Sequence, residues 1–304
     1  IIKNMLEIRE LTKIYSGNKP AIDSVTFDVK DGEIVGFVGL NGAGKTTTIK
    51  ISCGALLPTK GTVFVDSYDI VKDKVEASKR VAWLQEIPIF DNNAKAVKLL
   101  KYFAGFHGIS GDKAEKLARE LLKRVGLEGF EEKKIGSYSQ GMKKRFALAA
   151  ALISDPQNFL FDEVLNGLDP TGIRFFRELA LDLRRDKRAV LFSSHILSEV
   201  ENLADRIVII HKGKIIKIMH AEELKNYSEP VLKITIANLN PQIVNYLSSL
   251  GEVNIEGKNV TLRKYKEDPA LINSELVKMG ASITSFFEQK EGLEEFFLKL
   301  IGEK

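Results

Sequence analysis

The sequence predicts an α/β fold up to residue 227 and a small α+β unit after it. Three observations carry this. Two apolar runs, NFLFDE at 158–163 and RAVLFSSH at 188–195, read as buried parallel strands with a helix between them. The glycine-rich stretch GLNGAGKTT at 39–47 joins the apolar run EIVGFVG to a helical segment. Beyond Pro230 the pattern becomes β-α-β-β-α-β with one further helix, the order of a ferredoxin-like domain.

Taken in order, MLEIRELTKIY and IDSVTFDVKDGEIVGFVG alternate apolar and polar residues and then merge into a buried run, so they read as strands with a turn at Asp31-Gly32. KTTTIKISCGALL reads as a helix ended by Pro58, and GTVFVDSYDI as a short strand with a turn. Residues 94–125 are expected to be mainly helical. Val97, Leu100, Phe103 and Ala104 share one face, and the second helical pattern stops at Gly126. A helix is expected over 172–185 and a hairpin turning at Lys212-Gly213-Lys214. Strands alternating with helices imply an α/β sheet with right-handed crossovers. After a change near 224–230 come strand 231–237, helix 241–250, strands 252–256 and 259–265, helix 269–279, strand 281–288 and helix 291–301. The expected domains are 1–227, with a helical part at about 86–150, and 228–304.

Composition narrows the function classes. The chain has 304 residues, 44% of them hydrophobic and 28% charged, which is soluble-protein composition with room for two cores. Nine Lys/Arg face eleven Asp/Glu from Glu229 onward, a balance of −2, so the overall +4 leaves +6 on the first 228 residues. A basic nucleic-acid tail is absent, and a mildly basic main domain suits an anionic ligand. One cysteine, Cys53, excludes an intrachain disulfide and points to a reducing compartment. No apolar run reaches the roughly 18 residues of a membrane span. The opening IIKNMLEI is not expected to be a secretory leader, and a start on isoleucine suggests a trimmed chain.

The chemistry-bearing stretches are few. GLNGAGKTT has the spacing G-x-x-x-x-G-K-T. Gly39, Gly42 and Gly44 let the backbone between them, Leu40, Asn41 and Ala43 included, turn tightly and aim its N–H groups inward. A helix starting near Lys45 adds its positive dipole end. Lys45 can reach β- and γ-phosphates, the Thr46 hydroxyl can bind Mg²⁺, and Thr47 completes the loop. NFLFDE puts Asp162 at a strand's carboxyl end, poised for Mg²⁺, with Glu163 beside it able to polarise a water. His195 ends the other apolar strand. SYSQGMKKR at 137–145 opens a helix with Ser139 and Gly141, either a plain N-cap or a second place for an anion. Lys143, Lys144 and Arg145 read as a solvated face.

The order Gly39–Thr47, Ser139–Met142, Asp162–Glu163, GLDP at 167–170 and His195 resembles the nucleotide-binding domain of an ABC transporter, over about residues 5 to 220. The resemblance implies a P-loop NTPase fold, with ATP and Mg²⁺ as cofactors and ATP hydrolysis as the activity. It also implies that Ser139, Gln140 and Gly141 contact the ATP of a second subunit, which answers why one chain carries both a phosphate loop and half of another. Leu168 and Asp169 fall at the dimer-facing D-loop, and Tyr15 sits where the family stacks an aromatic on adenine; it is equally a strand-edge tyrosine. His195 is implied to touch the γ-phosphate. The ending GLEEFFLKLIG is similar to that of drug- and antibiotic-exporting ATPase subunits, which implies export.

Several residues depart from the family pattern. Gln140 replaces a glycine of the signature motif, and Val164, Leu165 and Asn166 replace proline, threonine and serine. In VAWLQEIPIF, either Gln85 or Glu86 is the ligand that touches Mg²⁺. The implied partners are a second ATPase subunit, identical or related, and a separate transmembrane permease, with the chain peripheral on the cytoplasmic membrane face and no direct nucleic-acid contact. The rival expectation is a soluble ABC-type ATPase acting as a regulator or on ribosomes or nucleic acid. A single phosphate loop and the absence of a long coiled coil count against it.

Overall fold

The computed structural model describes residues 4–17, 19–224, 230–290 and 293–302. Its contacts divide the chain into two units, Ile1–His220 and Ala221–Lys304. The expected domain boundary at 227 lies outside the described residues.

In the first unit, β1 (Asn4–Ile14) and β2 (Pro20–Lys30) pair antiparallel, and β4 (Lys60–Val65) with β5 (Tyr68–Asp69) extends them into a sheet of order β2-β1-β4-β5. Alternation puts Ile8, Phe27 and Val63, which are register partners, inside. A second sheet has the order β10-β9-β3-β8-β7-β6. It comprises β3 (Ile34–Val38), β6 (Val81–Leu84), β7 (Asn158–Phe161), β8 (Ala189–Ser194), β9 (Arg206–His211) and the antiparallel edge strand β10 (Lys214–His220). Every residue of β3, β7 and β8 is buried, which is why these strands read as unbroken apolar runs.

Parallel register fixes where the functional loops emerge. Val38 pairs with Ser194 and Phe161 with Phe192, so the segments following β3, β7 and β8 leave the sheet at one carboxyl edge. Helix α1 (Lys45–Ser52) follows β3 directly. It stops short of the expected Pro58: Gly54 takes a left-handed φ of 75°, and the Gly54 and Ala55 amides turn back to donate to the Ile51 and Lys50 carbonyls.

The strand β6 and the short helices α2 (Lys74–Ser78) and α7 (Leu197–Leu203) were not anticipated. The helices α3 (Ala96–Phe106), α4 (Gly111–Arg124) and α5 (Gln140–Ala151) pack on one another, with Val97, Leu100 and Ala104 of α3 buried and Phe103 half-buried. Helix α6 (Pro170–Arg185) starts on Asp169, whose carboxylate accepts from the Gly172 amide at 2.8 Å, with Pro170 in its first turn.

The second unit contains β11 (Pro230–Ile236), α8 (Pro241–Leu250), β12 (Glu252–Glu256), β13 (Asn259–Arg263), α9 (Pro269–Lys278), β14 (Ile283–Lys290) and α10 (Leu293–Ile301). Its antiparallel sheet runs β12-β13-β11-β14, the ferredoxin-like order. Leu232, Ile234, Ile243, Leu262 and Leu276 form a core of its own. The expected start of the last helix at 291 lies outside the described residues. No described helix is long and apolar enough to cross a membrane.

Candidate functional site

The loops after β3, β7 and β8 close a cleft of about 350 Å³ lined by Leu40, Asn41, Gly42, Gly44, Lys45, Thr46, Thr47, Glu86, Glu163, Asn166 and His195. Gly44 stands at the N-cap of α1 with φ 115°, and a Cβ there would meet Ile22 Cγ2 at 2.5 Å. A Cβ on Gly39 would meet the Ile210 carbonyl at 2.4 Å. Both positions therefore require glycine. No side chain caps α1, so its first-turn amides and dipole are left to face an anion.

The charged groups sit in the wall of this cleft. Lys45 is 5% exposed; its Nζ donates to the Gly39 carbonyl at 2.6 Å and lies 3.1 Å from Glu163 Oε1. The other carboxylate oxygen of Glu163 is 3.0 Å from His195 Nδ1. Glu163 thus bridges the lysine of one loop and the histidine of another. Its amide donates to Ser193 Oγ at 2.9 Å, and its backbone takes a left-handed φ of 47°.

Asp162 is 1% exposed, and its Oδ1 accepts from Ser193 Oγ at 2.8 Å and Thr46 Oγ1 at 3.2 Å. Burial raises its pKa above the ordinary value; the Ser193 and Thr46 hydroxyls oppose that, and the charges of Glu163 and Glu86 add to it. A desolvated carboxylate beside a hydroxyl fits Mg²⁺. Among the described residues no cluster of three or more His, Cys, Asp or Glu side chains could hold a metal ion, and Asp162 with Thr46 would hold Mg²⁺ together with phosphate oxygens and water.

The residues expected to act together are partly gathered here. Glu86 lines the cleft, whereas Gln85 lines a separate cavity of about 390 Å³ with Trp83, Phe90, Phe103 and Ala147. Tyr15 is 51% exposed and its hydroxyl lies 3.3 Å from Thr47 Oγ1, at the rim. Ser139, Gln140 and Gly141 are not in this cleft. Ser139 caps α5, its hydroxyl accepting from the Met142 amide at 3.2 Å. Ser139 and Gln140 are exposed, and a Cβ on Gly141 would meet nothing within 4 Å. Leu168 and Asp169 likewise stand outside, Asp169 as the cap of α6.

One expectation is corrected. Lys144 does not belong to a solvated face: it is 8% exposed and its Nζ donates to the carbonyls of Glu163 and Val164 at 3.3 Å each and to that of Asn166. Helical periodicity turns Lys144 inward from its neighbours Lys143 and Arg145, which are partly exposed. Asn166 and Ser193 were also missed as site residues. Asn166 Nδ2 donates to Glu86 Oε1 at 3.2 Å, so two departures from the family pattern meet across the cleft.

The ABC transporter family profile matches residues 22–166. The chain is 34% identical over 308 residues to the bacitracin transport ATP-binding protein BcrA of Bacillus licheniformis, covering 99% of this chain and 98% of that one. It is 30% identical over 308 residues to the linearmycin resistance ATP-binding protein LnrL of Bacillus subtilis, covering 98% of each. Among solved structures, an ATP-binding subunit of an ABC transporter superposes with a TM-score of 0.67 at 28% identity, over 73% of this chain and 92% of the other. Proteins of this kind work as dimers beside a separate transmembrane permease. Similarity over almost the whole length of both chains leaves one assignment: the chain belongs to the ATP-binding proteins of ABC transporters, as a subunit that binds ATP with Mg²⁺ and hydrolyses it to power transport.

Proposed function

We propose that Glu163 is the general base of ATP hydrolysis and that the cleft forms half of one of the two composite sites of a dimer. The observation that carries this is Glu163 itself, buried beside Asp162 and bridging Lys45 and His195. Asn41, Gly42, Gly44 and the first turn of α1 bind the phosphates through backbone amides, and Tyr15 covers the adenine at the rim. Lys45 Nζ leaves Glu163 Oε1 for the β- and γ-phosphate oxygens, which frees the carboxylate to accept a proton from the attacking water. His195, 3.0 Å from the other oxygen, holds that carboxylate in place and contacts the γ-phosphate. Thr46 and Asp162 would hold Mg²⁺, which neutralises charge on the phosphates when bound. Glu86 rather than Gln85 approaches this position, because Glu86 lines the cleft.

Ser139 and Gly141 serve the ATP of a second subunit, with Leu168 and Asp169 at the dimer seam. The second subunit is either a copy of this chain or a relative of it. The similarity to proteins named for bacitracin transport and linearmycin resistance supports export of an antibiotic-type compound through a separate permease, from the cytoplasmic face of the membrane. Replacing Glu163 by Gln is expected to leave Mg-ATP binding intact and to slow turnover by about 10²–10⁴. Phosphate release near the wild-type rate would remove Glu163 from this role.

A further inference from the structure

Lys144 poses a problem that the nucleotide cleft alone does not solve. A lysine ammonium is costly to bury, and among the described residues no carboxylate lies within ion-pair distance of this one. Its hydrogens go to three main-chain carbonyls, those of Glu163, Val164 and Asn166, all on the loop that follows β7. Packing does not require this. Val164 and Leu165 are already 0% and 2% exposed and anchor the loop by burial.

What packing leaves undetermined is the direction of the carbonyls. Glu163 has φ 47°, a conformation disfavoured for any residue with a Cβ. Its amide is held by Ser193 Oγ at 2.9 Å and its carbonyl by Lys144 Nζ at 3.3 Å, so the residue with the strained backbone is held on both sides. The Asn166 carbonyl is held by the same ammonium while its side chain holds Glu86 at 3.2 Å. Burial lowers the Lys144 pKa from its ordinary value, and the nearby charges of Glu86 and Glu163 work against that shift. Lys144 also sits on α5, the helix that Ser139 opens.

We infer that Lys144 is a positioning residue for hydrolysis: it ties the loop bearing Glu163 to the helix whose first turn meets the ATP of the other subunit. The inference rests on the proposed roles of Glu163 as base and Ser139 as a contact in trans. Docking of that second ATP against Ser139 then bears on the Glu163 carboxylate through one rigid helix and one ammonium.

A double-mutant cycle on the full chain tests this. The readouts are single-turnover hydrolysis of labelled Mg-ATP, ATP affinity and the thermal midpoint. Lys144→Met keeps the stem and removes the donors. It is expected to slow hydrolysis at least about tenfold with ATP affinity changed less than about twofold, and to cost less than about twofold more in a Glu163→Gln background, because a lost positioning effect has nothing further to misplace. Lys144→Arg, which keeps donors, should recover part of the rate. Should Lys144→Met not fold, Lys144→Arg and Lys144→Gln enter the same cycle, and the rate must fall from Arg to Gln. An equal loss in both backgrounds, a wild-type rate for Lys144→Met, lost ATP affinity, or Gln faster than Arg overturns the inference alone. Near wild-type hydrolysis by Glu163→Gln overturns the reading beneath it and the inference with it.

Discussion

The N-termini of α1 and α5 are both suited to an anion, and they are built differently. The first starts on a left-handed glycine, carries no side-chain cap and sits among buried Lys45, Asp162 and Glu163. The second is capped by its own Ser139, lies exposed and has open space at Gly141. A helix end with uncapped amides and a buried lysine can hold a phosphate within its own chain. A capped, exposed end gains a ligand only when something brings one to it. On the composite site proposed above, the difference separates the half of the catalytic apparatus that each chain owns from the half it lends.

Beside Glu163→Gln, the next large effect is expected from Asp162→Asn, which attacks the owned half. Turnover should fall by about 10³, corresponding to the several kcal/mol a metal supplies to charge stabilisation. Stability should move the other way. Burial raises the Asp162 pKa, and a raised carboxylate contributes stability that is complete below its ordinary pKa and lost as pH rises through the raised one. At neutral pH in EDTA the neutral amide should therefore raise the thermal midpoint, by an amount equivalent to about 1 kcal/mol. A lower midpoint for Asp162→Asn would contradict the buried-charge account.

Ser139→Ala sharpens the comparison from the lent half. Losing the cap should cost about 1 kcal/mol of stability. ATP affinity of the chain measured under conditions where it is monomeric should not change, since Ser139 lies outside the cleft. Weakened monomer binding would place Ser139 in the wrong half. The smallest effect is expected from a chain ending at Leu224. Residues 232–276 have their own core, so removing them should change ATP affinity by less than about twofold, while transport or its regulation changes. A folded, truncated chain unable to bind ATP would show that the C-terminal unit contributes to the cleft.

Much of the owned half was legible because its signals are local. The spacing of Gly39, Gly44 and Lys45 specifies a loop at a strand–helix junction, and NFLFDE announces both a buried strand and the carboxylates at its end. What escaped depends on three-dimensional pairing. Lys144 stands between partly exposed Lys143 and Arg145, and its acceptors come from the loop that folds back from Glu163 to Asn166, remote in the chain. Asn166 had no account in sequence terms because its partner, Glu86, is remote in the chain. The choice between Gln85 and Glu86 turned on a one-residue shift, and in the structure those two side chains serve different cavities. Strand β6 and helix α7 are too short for a period of two or of 3.6 to declare itself.

The claim that one chain lends what the other owns is tested most directly by mixing two lesions. Lys45→Ala removes the charge at the β- and γ-phosphates, and Ser139→Arg places a bulky side chain where close approach is needed. Each variant alone should hydrolyse poorly, since both sites of its homodimer carry a lesion. In a mixed dimer one site combines both lesions and the other pairs intact Lys45 with intact Ser139, so single-turnover hydrolysis should reappear on mixing, in at most half of the sites. The control joins a chain carrying both lesions to wild type, which leaves one lesion in every hybrid site. The contradicting result is a Ser139→Arg chain that hydrolyses ATP at the wild-type rate as a homodimer on the strength of its own Lys45.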